Sequence, residues 1–316
     1  MSEPRTLPPR RVRRFLVGAT ASGKTAVGFA LARIAPAELV SMDSMLVYRG
    51  LDVLTAKPSA AERAACPLHA TDLVDASGSF SVARYLEVAE AAEREIESRG
   101  RAPVFVGGTA LYLKALTHGL FEGPPSDPEL RRELTERAER EGAEALHGEL
   151  QRIDPSAASR IHPRDRKRVI RALEVFTATG EKISELQREW TLSAGFPRIA
   201  VGLRVPREEL ARRIGERVDR MLAAGLVDEV RAARERGLSR EAREAVGVKE
   251  AEAVLEGRLD FASARAEIVR RTRELARRQA TWFRSFPEIV WVDADETRTP
   301  DAIALDVRRT LELAPP

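Results

Sequence analysis

Short, mostly apolar runs punctuate the chain at wide intervals: Phe15–Val17, Leu39–Met42, Val104–Val106, Ile199–Val205 and Ile289–Val292. They are too short for helices and read as parallel strands buried on both faces. Between them apolar positions recur with helical spacing. The clearest case is Val82 to Ser98, where Val82, Leu86, Ala89 and Ile96 share a face, Ser79 or Ser81 can cap the start and Gly100 follows the end. Strands alternating with helices predict βαβ units, hence an α/β fold with a doubly wound parallel sheet.

One interval is too long for a simple crossover. About ninety residues separate the third strand from the fourth, against a dozen or more in an ordinary connection. Inside it, Asp127-Pro128 reads as a helix start, and Leu130, Leu134 and Ala138 continue on one face. Leu146 and Leu150 extend the pattern, and Asp154-Pro155 and His162-Pro163 interrupt it. This predicts an inserted helical subdomain over 120–195. It divides the α/β core into 1–119 and 196–316, the second part carrying C-terminal helices. The tail from Thr299 shows little pattern.

Composition narrows the class. The chain has 316 residues, 43% of them hydrophobic, enough for a large core with an insertion. No apolar run approaches the ~20 residues of a membrane span. Met1 to Arg14 is Pro- and Arg-rich and lacks the apolar segment of a secretory signal. A lone cysteine, Cys66, excludes an intramolecular disulfide and a Cys-cluster zinc site. A cytoplasmic protein without membrane attachment is expected. Net charge is +3, but its distribution is uneven. Arg160 to Arg171 holds six Arg/Lys against Asp165, and Arg265 to Arg284 holds seven arginines against Glu267 and Glu274. Such faces suit a polyanion, although either alone is more simply a solvated helix face.

The first strand runs into Gly18-Ala19-Thr20-Ala21-Ser22-Gly23-Lys24-Thr25, and a helical run follows. Gly-x-x-x-x-Gly-Lys-Thr between strand and helix is a P-loop. Its amides and the helix N-terminus cradle phosphate oxygens, Lys24 adds charge and Thr25 can hold Mg²⁺. The second strand ends at Ser41-Met42-Asp43-Ser44-Met45, and ligands of open α/β sheets lie at such carboxyl ends. Asp43 can therefore be a metal ligand, a general base or an N-cap. The third strand ends in Gly107-Gly108-Thr109, where many P-loop ATPases carry an acidic metal ligand. Glycines there allow close backbone approach. His69, His118, His147 and His162 have no metal-ligand spacing, and Trp282-Phe283 reads as core packing.

Together these residues resemble the bacterial tRNA dimethylallyltransferase family. The matching motifs are Gly18–Thr25, Asp43-Ser-Met-Leu-Val-Tyr-Arg-Gly50, Thr55-Ala-Lys-Pro58, Phe80-Ser-Val-Ala-Arg84, Gly107-Gly-Thr-Ala-Leu-Tyr112, Asp127-Pro-Glu-Leu-Arg131, Arg168-Val-Ile-Arg-Ala-Leu-Glu174 and Arg278-Gln-Ala-Thr-Trp-Phe-Arg284. They stand in family order over roughly residues 14–285. The resemblance implies a P-loop nucleoside-triphosphate-hydrolase-like fold. It also implies transfer of the dimethylallyl group of dimethylallyl diphosphate to N6 of adenosine 37 in tRNA, with release of pyrophosphate. On that reading Asp43 is the general base, and Thr109 and Lys24 complete the catalytic set. Gly18 to Thr25 and Arg217 hold the diphosphate, with Mg²⁺ near Thr25. Asp43, Ser44, Met45, Leu46, Thr109, Arg131 and the stretch Lys167, Arg168, Val169, Ile170, Arg171 meet the anticodon stem-loop. A monomer is expected.

The chain also departs from the family pattern. Leu46 stands where Gln is usual, Leu68-His69-Ala70-Thr71-Asp72 replaces His-His-Leu-Ile-Asp, Gly247-Val248 replaces Gly-Tyr, and Leu54 precedes Thr55-Ala-Lys-Pro58 where Gly is usual. A leucine cannot hydrogen-bond a base edge. A small-molecule kinase on the same fold, or an isopentenyltransferase acting on free adenylates, is the alternative reading. Neither needs the long basic insertion.

Overall fold

The computed structural model describes residues 12–119, 124, 127–192 and 198–315. The chain divides into two compact units, Met1–Thr117 with Phe196–Pro316, and His118–Gly195. The first begins with β1 (Arg13–Gly18), α1 (Lys24–Arg33) and β2 (Ala37–Ser41). It continues through β3 (Tyr48–Arg49), the short α2 (Asp52–Thr55) and α3 (Ala60–Ala65), β4 (Leu68–His69) and β5 (Val74–Asp75). Then come α4 (Val82–Ser98), β6 (Ala102–Gly107) and α5 (Ala110–His118). The helical unit holds α6 (Pro128–Glu141), α7 (Ala143–Ile153), α8 (Pro155–Arg160), α9 (Arg166–Thr179) and α10 (Ile183–Leu192). The first unit resumes with β7 (Arg198–Arg204), α11 (Arg207–Ala223), α12 (Leu226–Arg236), α13 (Arg240–Arg243), α14 (Val248–Leu255), α15 (Phe261–Arg284), β8 (Ile289–Asp293) and α16 (Pro300–Thr310).

All five predicted apolar runs are strands of one six-stranded parallel sheet, ordered β4-β2-β6-β1-β7-β8. Side chains alternate across a strand, so Phe15 and Val17 enter one core cluster and Leu16 the opposite one. On β6, Phe105 joins the former, and Val104 and Val106 the latter. This two-sided burial is why the strands read as continuous apolar runs. One face is covered by α4, α5, α11, α12, α14 and α15 through Tyr85, Leu113, Ile214, Val230, Val248 and Ile268. The other is covered by α1 and α16 through Val27, Leu31, Ile303 and Val307. The pattern-poor tail is thus a core helix, and the Thr299 hydroxyl caps it by accepting from the Ala302 amide. The two-residue strands β3 and β5 pair in parallel as a separate ribbon; segments that short carry no periodicity to read.

In the helical unit the two Asp-Pro dipeptides prove to be helix starts. Asp127 accepts from the amides of Glu129 and Leu130, and Asp154 from that of Ala157, each with proline in the first turn. Such caps are typically worth about 1 kcal/mol. Leu134, Ala138, Leu146, Leu150, Leu173 and Val175 form the unit's own core, each large side chain contributing roughly 1.5–3 kcal/mol on burial.

Candidate active site

The loops after β1, β2 and β6 carry the candidate chemistry, and these three strands are neighbours. Their ladders end with Ser41 beside Val106 and Val17 beside Gly107. The loops therefore emerge side by side at the carboxyl edge of the sheet, where α/β folds bind ligands.

The P-loop is closed on itself. The Ser22 amide donates to the Ala19 carbonyl at 3.1 Å, and Gly23 takes a left-handed conformation (φ 86°) to start α1. That φ suits glycine. Lys24 is buried and its Nζ donates to the Ala19 carbonyl at 3.3 Å. Ser22 Oγ is buried without a hydrogen-bond partner, a cost a phosphate oxygen would relieve. The Thr20 amide, expected in the phosphate cradle, is instead bonded to the Gln279 side chain at 2.8 Å.

The loop after β2 fixes Asp43 without making it an N-cap, since no helix begins there. Asp43 Oδ1 accepts from the Met45 amide at 2.9 Å, and its second oxygen makes no hydrogen bond among the described residues. Against this loop lies the turn after β6. The Thr109 amide donates to the Met42 carbonyl at 3.1 Å, and Thr109 Oγ1 accepts from the Ser44 amide at 3.0 Å. A Cβ on Gly107 would stand 2.0 Å from the Met42 oxygen. Gly107 is required by the contact of two backbones, so Thr109 and Asp43 share one rigid wall.

The electrostatics are those of an anion site. Burial pulls the Lys24 ammonium down to about 8, with Asp43 opposing and Arg217 adding to the fall. Burial likewise lowers the Arg217 guanidinium, again against Asp43. Desolvation disfavours the charged form of both groups, and an incoming phosphate restores it. Arg217 is held by donation to the Thr55 carbonyl at 2.8 Å. Lys57 is tied down in turn by the Tyr48 carbonyl, Asp52 and Asp72. A cavity of about 700 Å³ opens beside the P-loop, lined by Lys24, Thr25, Lys57, Arg213, Arg217 and Arg220 together with the acids Asp52, Glu62 and Glu216. Tyr85 and Tyr112 stack at 3.7 Å, the Tyr85 hydroxyl donating to the Ser41 carbonyl next to Met42.

In the helical unit the outcome is mixed. Arg131 and Arg171 both pair with Glu174 Oε2, at 2.6 and 2.9 Å, and Glu174 is fully buried. Lys167 and Arg168 are exposed. Val169 and Ile170, expected at the RNA interface, are 1% and 7% exposed and belong to the unit's core. On α9 they face inward, four and three residues before the apolar Leu173, so their side chains pack into the core of this unit. Arg164, Arg166 and Arg168 pair with Glu144, Glu139 and Asp165. The second basic stretch splits likewise. Arg265, Arg270 and Arg271 are ion-paired, whereas Arg273, Arg277 and Arg278 have no ion pair among the described residues. Of the expected core pair, Phe283 is buried and Trp282 is 37% exposed. His69 binds Glu38 at 2.8 Å, and His147 binds the Ala158 and Ile161 carbonyls; both are structural.

Gln279 is among the residues that sequence reasoning did not place at the site, with Lys57, Arg213 and Arg220; its signal is its position in the Arg278–Arg284 motif. Comparison with known proteins shows the family. Residues 46–286 match the family model described as IPP transferase. The chain is 46% identical to a tRNA dimethylallyltransferase of Geobacter sulfurreducens, over 87% of this chain and 90% of that protein. It is also 46% identical to one from an Azoarcus species, over 93% and 94%. Among solved structures it resembles the tRNA isopentenylpyrophosphate transferase of Bacillus halodurans (37% identity, TM-score 0.69, covering 95% of this chain and 97% of that one). It also resembles a eukaryotic dimethylallyltransferase acting on tRNA (28% identity, TM-score 0.79, covering 94% and 77%). With a P-loop, a wall built from Asp43 and Thr109, and this extent of similarity, the chain belongs to the IPP transferase family.

Proposed function

We infer that the protein transfers the dimethylallyl group of dimethylallyl diphosphate to N6 of adenosine 37 in tRNA, releasing pyrophosphate. The observation that carries this reading is the placement of Asp43. Its carboxylate is fixed through one oxygen, lies within electrostatic reach of Lys24 and Arg217, and adjoins the Thr109 turn. A base and an anion grip thus share one edge of the sheet. N6 attacks the allylic C1, the C1–O bond breaks and its electron pair leaves with the diphosphate. Asp43 takes the N6 proton, a transfer typically worth ~10²–10⁴-fold. Lys24 and Arg217 meet the charge that develops on the leaving group, the kind of stabilisation that dominates many reactions.

The donor set suits Mg²⁺ carried with the diphosphate. Among the described residues no group of three His, Cys, Asp or Glu side chains is placed to hold a metal by itself. The Thr25 hydroxyl has no hydrogen-bond partner among them, and Mg²⁺ in phosphate sites takes one or two protein oxygens plus phosphate oxygens and water. Thr25 would hold the ion, which would further neutralise the leaving diphosphate. Arg131, Lys167, Arg168 and Arg171 would contact the backbone of the anticodon stem-loop, and adenosine 37 must leave its stack to react. No helix among the described residues is long and apolar enough to cross a membrane, and a tRNA substrate supports a cytoplasmic setting.

The test is transfer of label from dimethylallyl diphosphate, with Mg²⁺, to tRNA bearing adenosine 37. Labelled RNA and stoichiometric pyrophosphate are expected. Label confined to AMP or ATP, or γ-phosphate transfer from ATP, would refute the proposal.

A further inference from the structure

Gln279, on α15, bridges two loops distant from it in sequence. Its Oε1 accepts from the Thr20 amide of the P-loop at 2.8 Å, and its Nε2 donates to the Gly108 carbonyl at 3.0 Å. The partners leave one orientation of the amide: a backbone N–H can only donate and a carbonyl can only accept. The β1–β6 ladder ends at Val17 and Gly107, just before these loops, so the side chain continues the cross-strand connection where the backbone ladder stops. Gly108 completes the fit. A Cβ there would come within 2.5 Å of Gln279 Nε2, so glycine is what lets the amide reach its carbonyl. Only a primary amide of this length offers a donor and an acceptor at one planar end. Glutamate keeps the acceptor and loses the donor; methionine keeps the length and loses both.

We propose that Gln279 is a positioning residue for the transfer: it sets the separation between the P-loop and the Gly107–Thr109 turn. That separation keeps the diphosphate grip in register with the Asp43–Thr109 wall. The inference rests on the transferase reading. Misplacement by about 1 Å can cost ~10²-fold in rate, so a strut between these loops has kinetic weight although it touches no reacting atom. The competing roles are an RNA contact, suggested by exposed Arg277, Arg278 and Trp282 nearby on α15, and a purely structural anchor.

Four quantities separate these roles in Gln279→Met, Gln279→Glu, Gly108→Ala and the Gly108→Ala/Gln279→Met double variant. They are pyrophosphate affinity by titration calorimetry, kcat for transfer, affinity for an anticodon stem-loop, and thermal midpoint. Both single variants Gln279→Met and Gly108→Ala should lower kcat by about tenfold or more and weaken pyrophosphate binding several-fold. Stem-loop affinity should stay within about twofold, and the double variant should be no worse than the worse single, as for two changes that break the same bridge. Gln279→Glu should restore none of the kcat. Loss of stem-loop affinity alone would make Gln279 an RNA contact. A lowered midpoint with unchanged kinetic and binding constants would make it an anchor. Multiplying losses in the double variant, or no change anywhere, would also overturn the proposal. If Gln279→Met does not fold, Gly108→Ala carries the test, because it displaces the amide while leaving the residue. Pyrophosphate binding is read without RNA, so a wild-type protein that binds pyrophosphate but modifies no tRNA refutes the transferase reading and leaves the strut standing.

Discussion

Asp43 and Lys24 lie within reach of one another but serve opposite partners. Asp43 is anchored by one oxygen to the Met45 amide, so removing its side chain deletes a base while the loop keeps the backbone contacts of Thr109 and Met42. Asp43→Ala should lower kcat by at least about a hundredfold with tRNA affinity unchanged within a few fold; a matching loss of affinity would make the residue structural. Lys24 gives a pH prediction. Burial lowers its ammonium to about 8, so it is charged below that pH and neutral above it. Binding an anion favours the charged form and raises the value again. kcat/KM for dimethylallyl diphosphate should therefore fall as pH climbs through about 8, and Lys24→Arg, whose guanidinium stays protonated, should move that fall to higher pH. A profile flat to pH 9.5 in the wild-type enzyme would contradict it. At neutral pH the buried ammonium costs the protein roughly 3 kcal/mol at ~1.4 kcal/mol per pH unit, which a bound diphosphate would offset.

At the scale of elements, the site depends on strand neighbours rather than on motifs alone. β2 and β6 are paired, and the turn after β6 lies directly on the Met42 backbone. Gly107→Ala would place a methyl 2.0 Å from the Met42 oxygen, a clash that neither backbone can relieve cheaply. It should cost about 2 kcal/mol or more of stability, and surviving folded enzyme should show lowered kcat, because Thr109 and Asp43 move together. Chemical denaturation of the variant with its kcat measured in parallel checks both. Helices are legible in the sequence where one face is apolar: α4 runs from Val82 to Ser98 with Ser81 as its cap, as the spacing predicts. α16 escapes such reading because its short apolar stripe of Ile303, Ala304 and Val307 sits in a polar tail, and its weight comes from packing on α1. Trp282 and Phe283 read as a pair along the chain, but adjacent helix positions face different ways, so one is buried and the other exposed.

For the whole molecule, charge distribution is the property that bears on RNA. The basic stretch on α9 reads as strongly positive along the chain, yet Glu139, Glu144 and Glu174 arrive from other positions to pair with it. The exposed pairs to Glu139 and Glu144 are worth about 0–1 kcal/mol, so phosphates can displace those two carboxylates at little cost, whereas Glu174 is fully buried and keeps its hold on Arg171. Lys167→Ala/Arg168→Ala should weaken stem-loop binding and reduce its log–log salt dependence by about two, one for each phosphate no longer neutralised; an unchanged slope would return the stretch to a solvated face. The strands, the long helices and the P-loop are written in local patterns, because periodicity and a contiguous Gly-x-x-x-x-Gly-Lys-Thr act over a few neighbouring residues. Folding decided the rest: the depressed ammonium of Lys24, the inward turn of Val169 and Ile170, and the seat of Gln279 between Thr20 and Gly108. Each depends on burial or on partners up to 259 residues away, and desolvation and packing exist only once those segments meet.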